Sequence, residues 1–231
     1  MQLRAGTSGF SYAEWRGGFY PADLPDGQML TFYAGRLPAV EINNTFYRLP
    51  KSELLASWHD AVGSDFRFVL KASRRITHMS RLVNTADTLA YLWQAAGNLR
   101  EKLGPILFQL PPFMRKDLGV LGAFLSTLPA GLRAAIEFRH ASWLADDVYE
   151  VLRRHGAALC VADSEEFATP LEATAGWGYL RLRRQDYDDA ALRGWAERLR
   201  AQRFDETFVF FKHEDEGAGP RLAESFRSMM I

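Results

Sequence analysis

The chain has 231 residues, 48% of them hydrophobic and 13% aromatic, with 28 basic side chains balanced by 28 acidic ones. That size suits one α/β barrel, which runs to about 250 residues, and the neutral balance argues against a general binder of nucleic acid or membrane surfaces. A single cysteine, Cys160, excludes an intramolecular disulfide and predicts a reducing, cytoplasmic setting. "MQLRAGTSGF" lacks the apolar core of a signal peptide, and no apolar run approaches bilayer length, so no membrane partner is expected.

Short apolar runs alternate with helical patterns along the chain. "LRAGTSG" (3–9) is followed by "AVEIN" (39–43). "SELLASWHDAV" then has helical spacing, with Leu54, Leu55, Trp58 and Val62 on one face and Ser52 as the expected N-cap. "FRFVLK" (66–71) precedes a helical pattern over 81–103 that carries Leu82, Leu89, Trp93, Ala96 and Leu99. After "PILFQL" (105–110), "DLGVLGAFLSTL" presents Leu118, Leu121, Leu125 and Leu128. "RAAIEFR" (133–139) leads into "SWLADDVYEVLRRHG", with Ser142 as the expected N-cap and Gly156 as the C′ stop. "AALCVAD" (157–163) runs into 164–176, which has no helical pattern and predicts an irregular connection. "GYLRLR" (178–183), a helix through Leu192, Trp195, Ala196 and Leu199, "TFVFFK" (207–212) and a closing helix over 217–229 complete the order.

Near-continuous apolar strands are what a parallel sheet covered on both faces requires. Eight of them without a break in composition predict a single-domain (β/α)8 TIM barrel over residues 1–231. The alternative is an open, doubly wound sheet, but "GTSGFSY" does not fit the dinucleotide-binding G-x-G-x-x-G.

A barrel carries its site at the C-terminal ends of its strands, and side chains alternate along a strand, so parity selects the inward groups. If Val40 and Ile42 face the helices, Glu41 and Asn43 face the lumen. The same rule turns inward Lys71, Gln109, Glu137, Arg139, Arg181 and Arg183. Asp163 ends strand six; Lys212, His213 and Glu214 end strand eight, where both parities are apolar and the rule cannot choose. Carboxylates at these ends need partners, and Glu41, Glu137 and Asp163 are expected to pair with Lys71, Arg139, Arg181 and Arg183. The cluster reads as a ligand site, with a purely structural ion network as the alternative.

"GTSGFSYAEW", "FYAGRLPAVEINNTFYRLP", "FRFVLKASRRITH", "LGPILFQLPPF", "IEFRHASW" and "YLRL" together closely resemble the domain of unknown function 72 family, the YecE-like proteins. The resemblance implies a TIM barrel and a site position, and no reaction. The positions it implies are Ser8, Tyr12 and Trp15; Glu41, Asn43, Thr45, Phe46 and Tyr47; Lys71, Thr77 and His78. It also implies Gln109, Pro111 and Pro112; Glu137, Arg139, His140 and Trp143; and Asp163 and Arg181. Where the family tends to read Arg-x-His-Gly after strand seven, this chain has Arg181, Leu182, Arg183 and Arg184. Where it tends to read Phe-Asn-Asn after strand eight, this chain has Phe211, Lys212 and His213. These departures imply a more anionic ligand than is typical, or a decayed site.

Several chemistries fit these residue types. Anion binding by Lys71, Arg139, Arg181, Arg183 and Lys212 is preferred, because arginine forks match phosphate and carboxylate. Glu41, Glu137, Lys71 and His78 are the candidate acid–base groups. Ser8, Tyr12, Trp15, Asn43, Tyr47, Gln109 and Asp163 complete the candidate binding set, and Phe46 joins Tyr12, Trp15 and Tyr47 as a stacking ring; their alternative is a hydrophobic lid. Lys71 ends an apolar strand, where burial would make it a Schiff-base amine; pairing with Glu41 or Glu137 would instead raise its pKa. Glu41 and Glu137 suit a glycosidase only at the separation that chemistry requires. No cofactor is expected. A divalent metal on His78, His140, His213, Glu41, Glu137 or Asp163 lacks diagnostic spacing and is opposed by Lys71, Arg139 and Arg181. The alternative function is a non-catalytic or metal-dependent nucleic-acid-binding barrel similar to endonuclease IV. Cys160 is read as a small core residue, and no oligomeric state is read from the sequence.

Overall fold

The computed structural model describes residues 1–48, 50–212 and 217–230. His213 and Glu214, two of the candidate groups after strand eight, lie outside the described residues. Eight parallel strands close into a barrel in chain order. They are β1 (Gln2–Ser8), β2 (Ala39–Ile42), β3 (Arg67–Lys71), β4 (Leu103–Gln109), β5 (Ala134–Glu137), β6 (Ala158–Asp163), β7 (Trp177–Leu182) and β8 (Glu206–Phe211). Closure is completed by the pairing of Gln2–Thr7 with Glu206–Phe211.

The helices around it are α1 (Met29–Ala34), α2 (Ser52–Asp60), α3 (Ala86–Ala96), α4 (Leu118–Ser126), α5 (Asp146–Arg154), α6 (Asp189–Arg200) and α7 (Ala218–Met230). Between β6 and β7 the chain is irregular, as its lack of period predicts. Thr174 ties that segment down by donating to the Ala157 carbonyl at 2.8 Å and accepting from the Leu159 amide at 2.7 Å.

Four helix expectations need correction. Ser52 is the first residue of α2, whose cap position is Lys51 without a side-chain bond. Leu54 on that helix is 45% exposed, because the buried stripe centres on Leu55. Ser142 lies in a short 3-10 turn over Ala141–Trp143, and α5 begins only after Ala145. The pattern over 81–103 yields a shorter α3, since Arg81, Leu82 and Asn84 have positive φ before it and 3-10 turns over Gly97–Lys102 follow. Gly156 does end α5, with φ of 61° just past the cap residue His155.

The lumen settles which parity of each strand faces inward. Tyr179, Phe208 and Phe210 pack there with Ala39, Ala135 and Ala158. Bulky rings on β7 and β8 fill the space that small residues on β2, β5 and β6 leave open, which is how a barrel interior reaches crystal-like density. So β8, ambiguous in sequence, turns Phe208 and Phe210 inward, and Val209 and Phe211 pack in the layer between strands and helices. Gly6 on β1 is required by a close approach: a Cβ there would sit 1.9 Å from the Ala39 carbonyl oxygen.

Candidate functional site

At the C-terminal ends of the strands the inward polar residues form one connected network. Arg181 is fully buried and lies at its centre. Its Nη1 donates to Glu137 Oε2 at 2.6 Å, and its Nη2 to Glu41 Oε1 at 2.7 Å. A longer bond at 3.3 Å reaches Asn43 Oδ1. Glu41 also accepts from the Ser8 hydroxyl at 2.7 Å and from the Tyr179 hydroxyl at 2.5 Å. Glu137 also accepts from Gln109 Nε2 at 2.8 Å and from Arg139 Nε at 2.6 Å. Both carboxylates are buried completely. Burial alone would raise their pKa values, but Arg181, with Arg183 at Glu41 and Arg139 at Glu137, holds both below the usual carboxylate range.

Lys71 behaves differently from the expected ion pair. Its Nζ donates to Gln109 Oε1 at 2.8 Å and lies 4.2 Å from the centre of the Phe46 ring. The carboxylates take Arg181 and Arg139 instead. Burial, then repulsion from Arg181, lowers the Lys71 pKa to about 8, against the opposing pull of Glu137 and Glu41. Thr45 fixes the strand end beside it by donating to the Lys71 carbonyl at 2.6 Å.

Above the network lies an open cleft of about 380 Å³, lined by His78, Gln109, Pro112, Arg139, Phe167 and Arg183, with Glu166 at its lip. Arg183 Nε is buried and has no hydrogen-bond partner among the described residues. His78 bonds the Thr77 hydroxyl through Nδ1 at 2.9 Å and meets Phe46 edge-on at 4.9 Å. Burial, with Lys71 and Arg74 nearby, lowers its pKa, which favours the neutral imidazole. Lys212 follows the inward Phe208 and Phe210 in alternation and is exposed at the rim.

Four expectations are not met in place. Asp163 has the outward parity of Val161; it accepts from Arg184 Nε at 2.8 Å, Tyr187 at 2.9 Å and Trp195 at 3.2 Å, and pairs with none of the lumen cations. Trp15 is 1% exposed in a ring cluster with Phe19 and Tyr20, so it offers no stacking face. Tyr12 packs on Trp15 and donates to the Ser8 carbonyl at 2.7 Å, lining a separate small cleft with Asn43. Tyr47 is 73% exposed and lines a neighbouring cleft with Arg48 and Arg75. His140 accepts from the Ser142 amide, a capping role. Among the described residues no group of three or more His, Cys, Asp or Glu side chains converges as a metal site.

The family model for a protein of unknown function, DUF72, matches residues 4–231. The chain belongs to the DUF72 family. It is 32% identical over 114 residues to the UPF0759 protein YecE of Escherichia coli K12, covering 49% of this chain and 42% of that one. It is 24% identical over 139 residues to the UPF0759 protein YunF of Bacillus subtilis, covering 57% and 49%. The chain thus spans about half the length of the curated relatives it matches. A DUF72 crystal structure from Thermotoga maritima superposes with a TM-score of 0.88 at 25% identity, covering 100% of this chain and 99% of that one. Another from Enterococcus faecalis gives 0.81 at 20% identity, over 99% and 95%; it shares the fold. Within this DUF72 chain, Tyr179 is the network member that the sequence reading overlooked. Its signal was present: it shares the parity of Arg181, two residues on.

Proposed function

We propose that the barrel mouth binds a small anionic ligand, phosphorylated or carboxylated, and carries out proton-transfer chemistry on it. The carrying observation is a charge excess with an unfilled donor. Lys71, Arg139, Arg181 and Arg183 meet two buried carboxylates, both engaged by arginine, while Arg183 Nε is buried without a partner among the described residues. An anion in the cleft would accept from Arg183 and Arg139, whose planar forks suit oxyanions. Lys212 at the rim adds attraction for an incoming anion.

The acid–base roles fall to Lys71, whose pKa is lowered to about 8, and to His78, whose lowered pKa keeps its imidazole a neutral base near pH 7. Glu41 and Glu137, held ionised, act in this reading by fixing Arg181, with Ser8, Asn43 and Gln109 completing their bonds. No helix among the described residues is long and apolar enough to cross a membrane. The buried reduced thiol of Cys160 suits a cytoplasmic setting.

The test is thermal denaturation with increasing inorganic phosphate, on wild type and on Arg183→Met. A ligand of the folded state stabilises it by mass action. Wild type is expected to gain melting temperature in phosphate, and the variant to lose most of that gain. Equal shifts in both proteins would overturn the reading. Binding of unspecific oligonucleotides that falls steeply with salt would favour the nucleic-acid alternative.

A further inference from the structure

We propose that Lys71 is a nucleophilic amine that condenses with the carbonyl group of a small anionic oxo compound to form an imine. This rests on the anion-binding reading above and names the substrate class of the same site. Lys102 is also buried, and it is bound as a structural lysine: its Nζ donates to the His59 and Val62 carbonyls at 2.6 and 2.8 Å. Among the described residues Lys71 has one side-chain acceptor, the neutral Gln109 amide, and an aromatic face. Neither holds its proton as a carboxylate would.

Position adds to this. Lys71 ends β3 at the mouth, and the Gln109 side chain that it touches lines the cleft. Arg139 and Arg183 line the same cleft, so an oxo compound carrying a carboxylate or phosphate is drawn in with its anionic end on arginine. His78 packs on the Phe46 ring that also covers Lys71, and the charge of the amine is felt at the imidazole. A lysine desolvated against an apolar ring and facing another cation is an activated amine.

The step balances without an oxidant or reductant. The free amine's lone pair attacks the carbonyl carbon; a C–N bond forms as the C=O π pair moves to oxygen. A proton passes from nitrogen to that oxygen, giving a carbinolamine. Loss of the hydroxyl as water, with a second proton supplied and the nitrogen proton released, leaves the imine. His78 is positioned as the relay for these protons.

The experiment is borohydride trapping. Wild type is incubated with glyoxylate or with acetaldehyde, reduced, digested and mapped across the five lysines of the chain; phosphate melting shifts are measured in parallel. The expected result is glyoxylate label on Lys71 at least about tenfold above the exposed Lys51 and Lys212, since a lowered pKa leaves far more free amine at neutral pH. Lys71→Arg should lose that label, and Arg183→Met should lose the glyoxylate preference over acetaldehyde. Label spread over the lysines by exposure, with phosphate still stabilising, would overturn the imine and leave the anion site standing. Lys71 label without preference for glyoxylate, and no phosphate shift, would keep the reactive amine and overturn the anion site.

Discussion

The Lys71 ammonium lies 2.8 Å from the Gln109 amide oxygen, while the two nearest buried carboxylates are bound by arginine. The lysine is therefore desolvated without a compensating negative partner in direct contact. Its pKa falls from 10.5 to about 8 on folding, from burial first and Arg181 second.

Between those two pH values the unfolded chain binds more protons than the folded one, so stability rises with pH through that window. The cost is fully present below pH 8 and, at 1.36 kcal/mol per unit, is on the order of 3 kcal/mol. Lys71→Met is expected to be more stable than wild type at pH 7 by about 2 kcal/mol, after the lost hydrogen bond is counted. Urea unfolding at pH 7 and pH 10 checks both the gain and the flattened slope. A variant less stable at pH 7 would contradict it.

Arg181 makes the opposite kind of contribution. Glu41 and Glu137 have lowered pKa values when folded, so their stabilisation is present above the ordinary carboxylate range and lost as acid protonates them. Replacing Arg181 with Met leaves two carboxylates buried, at a cost of about 3–5 kcal/mol near neutral pH. Their pKa values should then rise on folding, and stability should fall with increasing pH between 5 and 7, where in wild type these two carboxylates contribute no slope. Denaturation across that range reads the sign directly.

Asp163 tests the division between site and scaffold. Its carboxylate ties Arg184, Tyr187 and Trp195 together on the helix side of the sheet. Asp163→Asn leaves one buried donor short of an acceptor, which costs about 1–3 kcal/mol. Tryptophan emission should change through Trp195, and the phosphate melting shift should not. Loss of that shift in a folded variant would return Asp163 to the site.

Gly6→Ala should be among the most damaging small substitutions. The new Cβ would meet the Ala39 carbonyl oxygen at 1.9 Å and its carbon at 2.8 Å, both backbone atoms that cannot step aside. Separation of the β1–β2 seam should cost about 3 kcal/mol or more. Gly122→Ala in α4, with nothing within 4 Å, is the control and should stabilise by about 0.5–1 kcal/mol. Comparable melting temperatures for the two variants would refute the argument.

Parity explains how much of this was legible beforehand. Val40 and Ile42 are apolar and Glu41 is not, so β2 announces its inward face; β3, β4, β5 and β7 do the same for Lys71, Gln109, Glu137 and Arg181. On β6 Ala158, Cys160 and Ala162 differ too little from Leu159 and Val161 for the pattern to assign Asp163. Its direction is set by Tyr187 and Trp195, more than twenty residues later. Trp15 failed for a related reason: an aromatic near a strand end reads equally as site or core until Phe19 and Tyr20 are seen around it. The Lys71 environment was illegible because hydrogen-bond choice among Gln109, Glu41 and Glu137 is decided by angstroms, not by parity.

Arg181 and Glu41 stand 140 residues apart in the chain. During synthesis the carboxylate therefore leaves the ribosome long before its cation exists. Until β7 emerges, burying Glu41 would strand a charge, so closing the early strands over it is disfavoured. Commitment to the closed barrel is thus deferred until β7 has been made, and the nascent chain must wait, unsealed, for its own central pin.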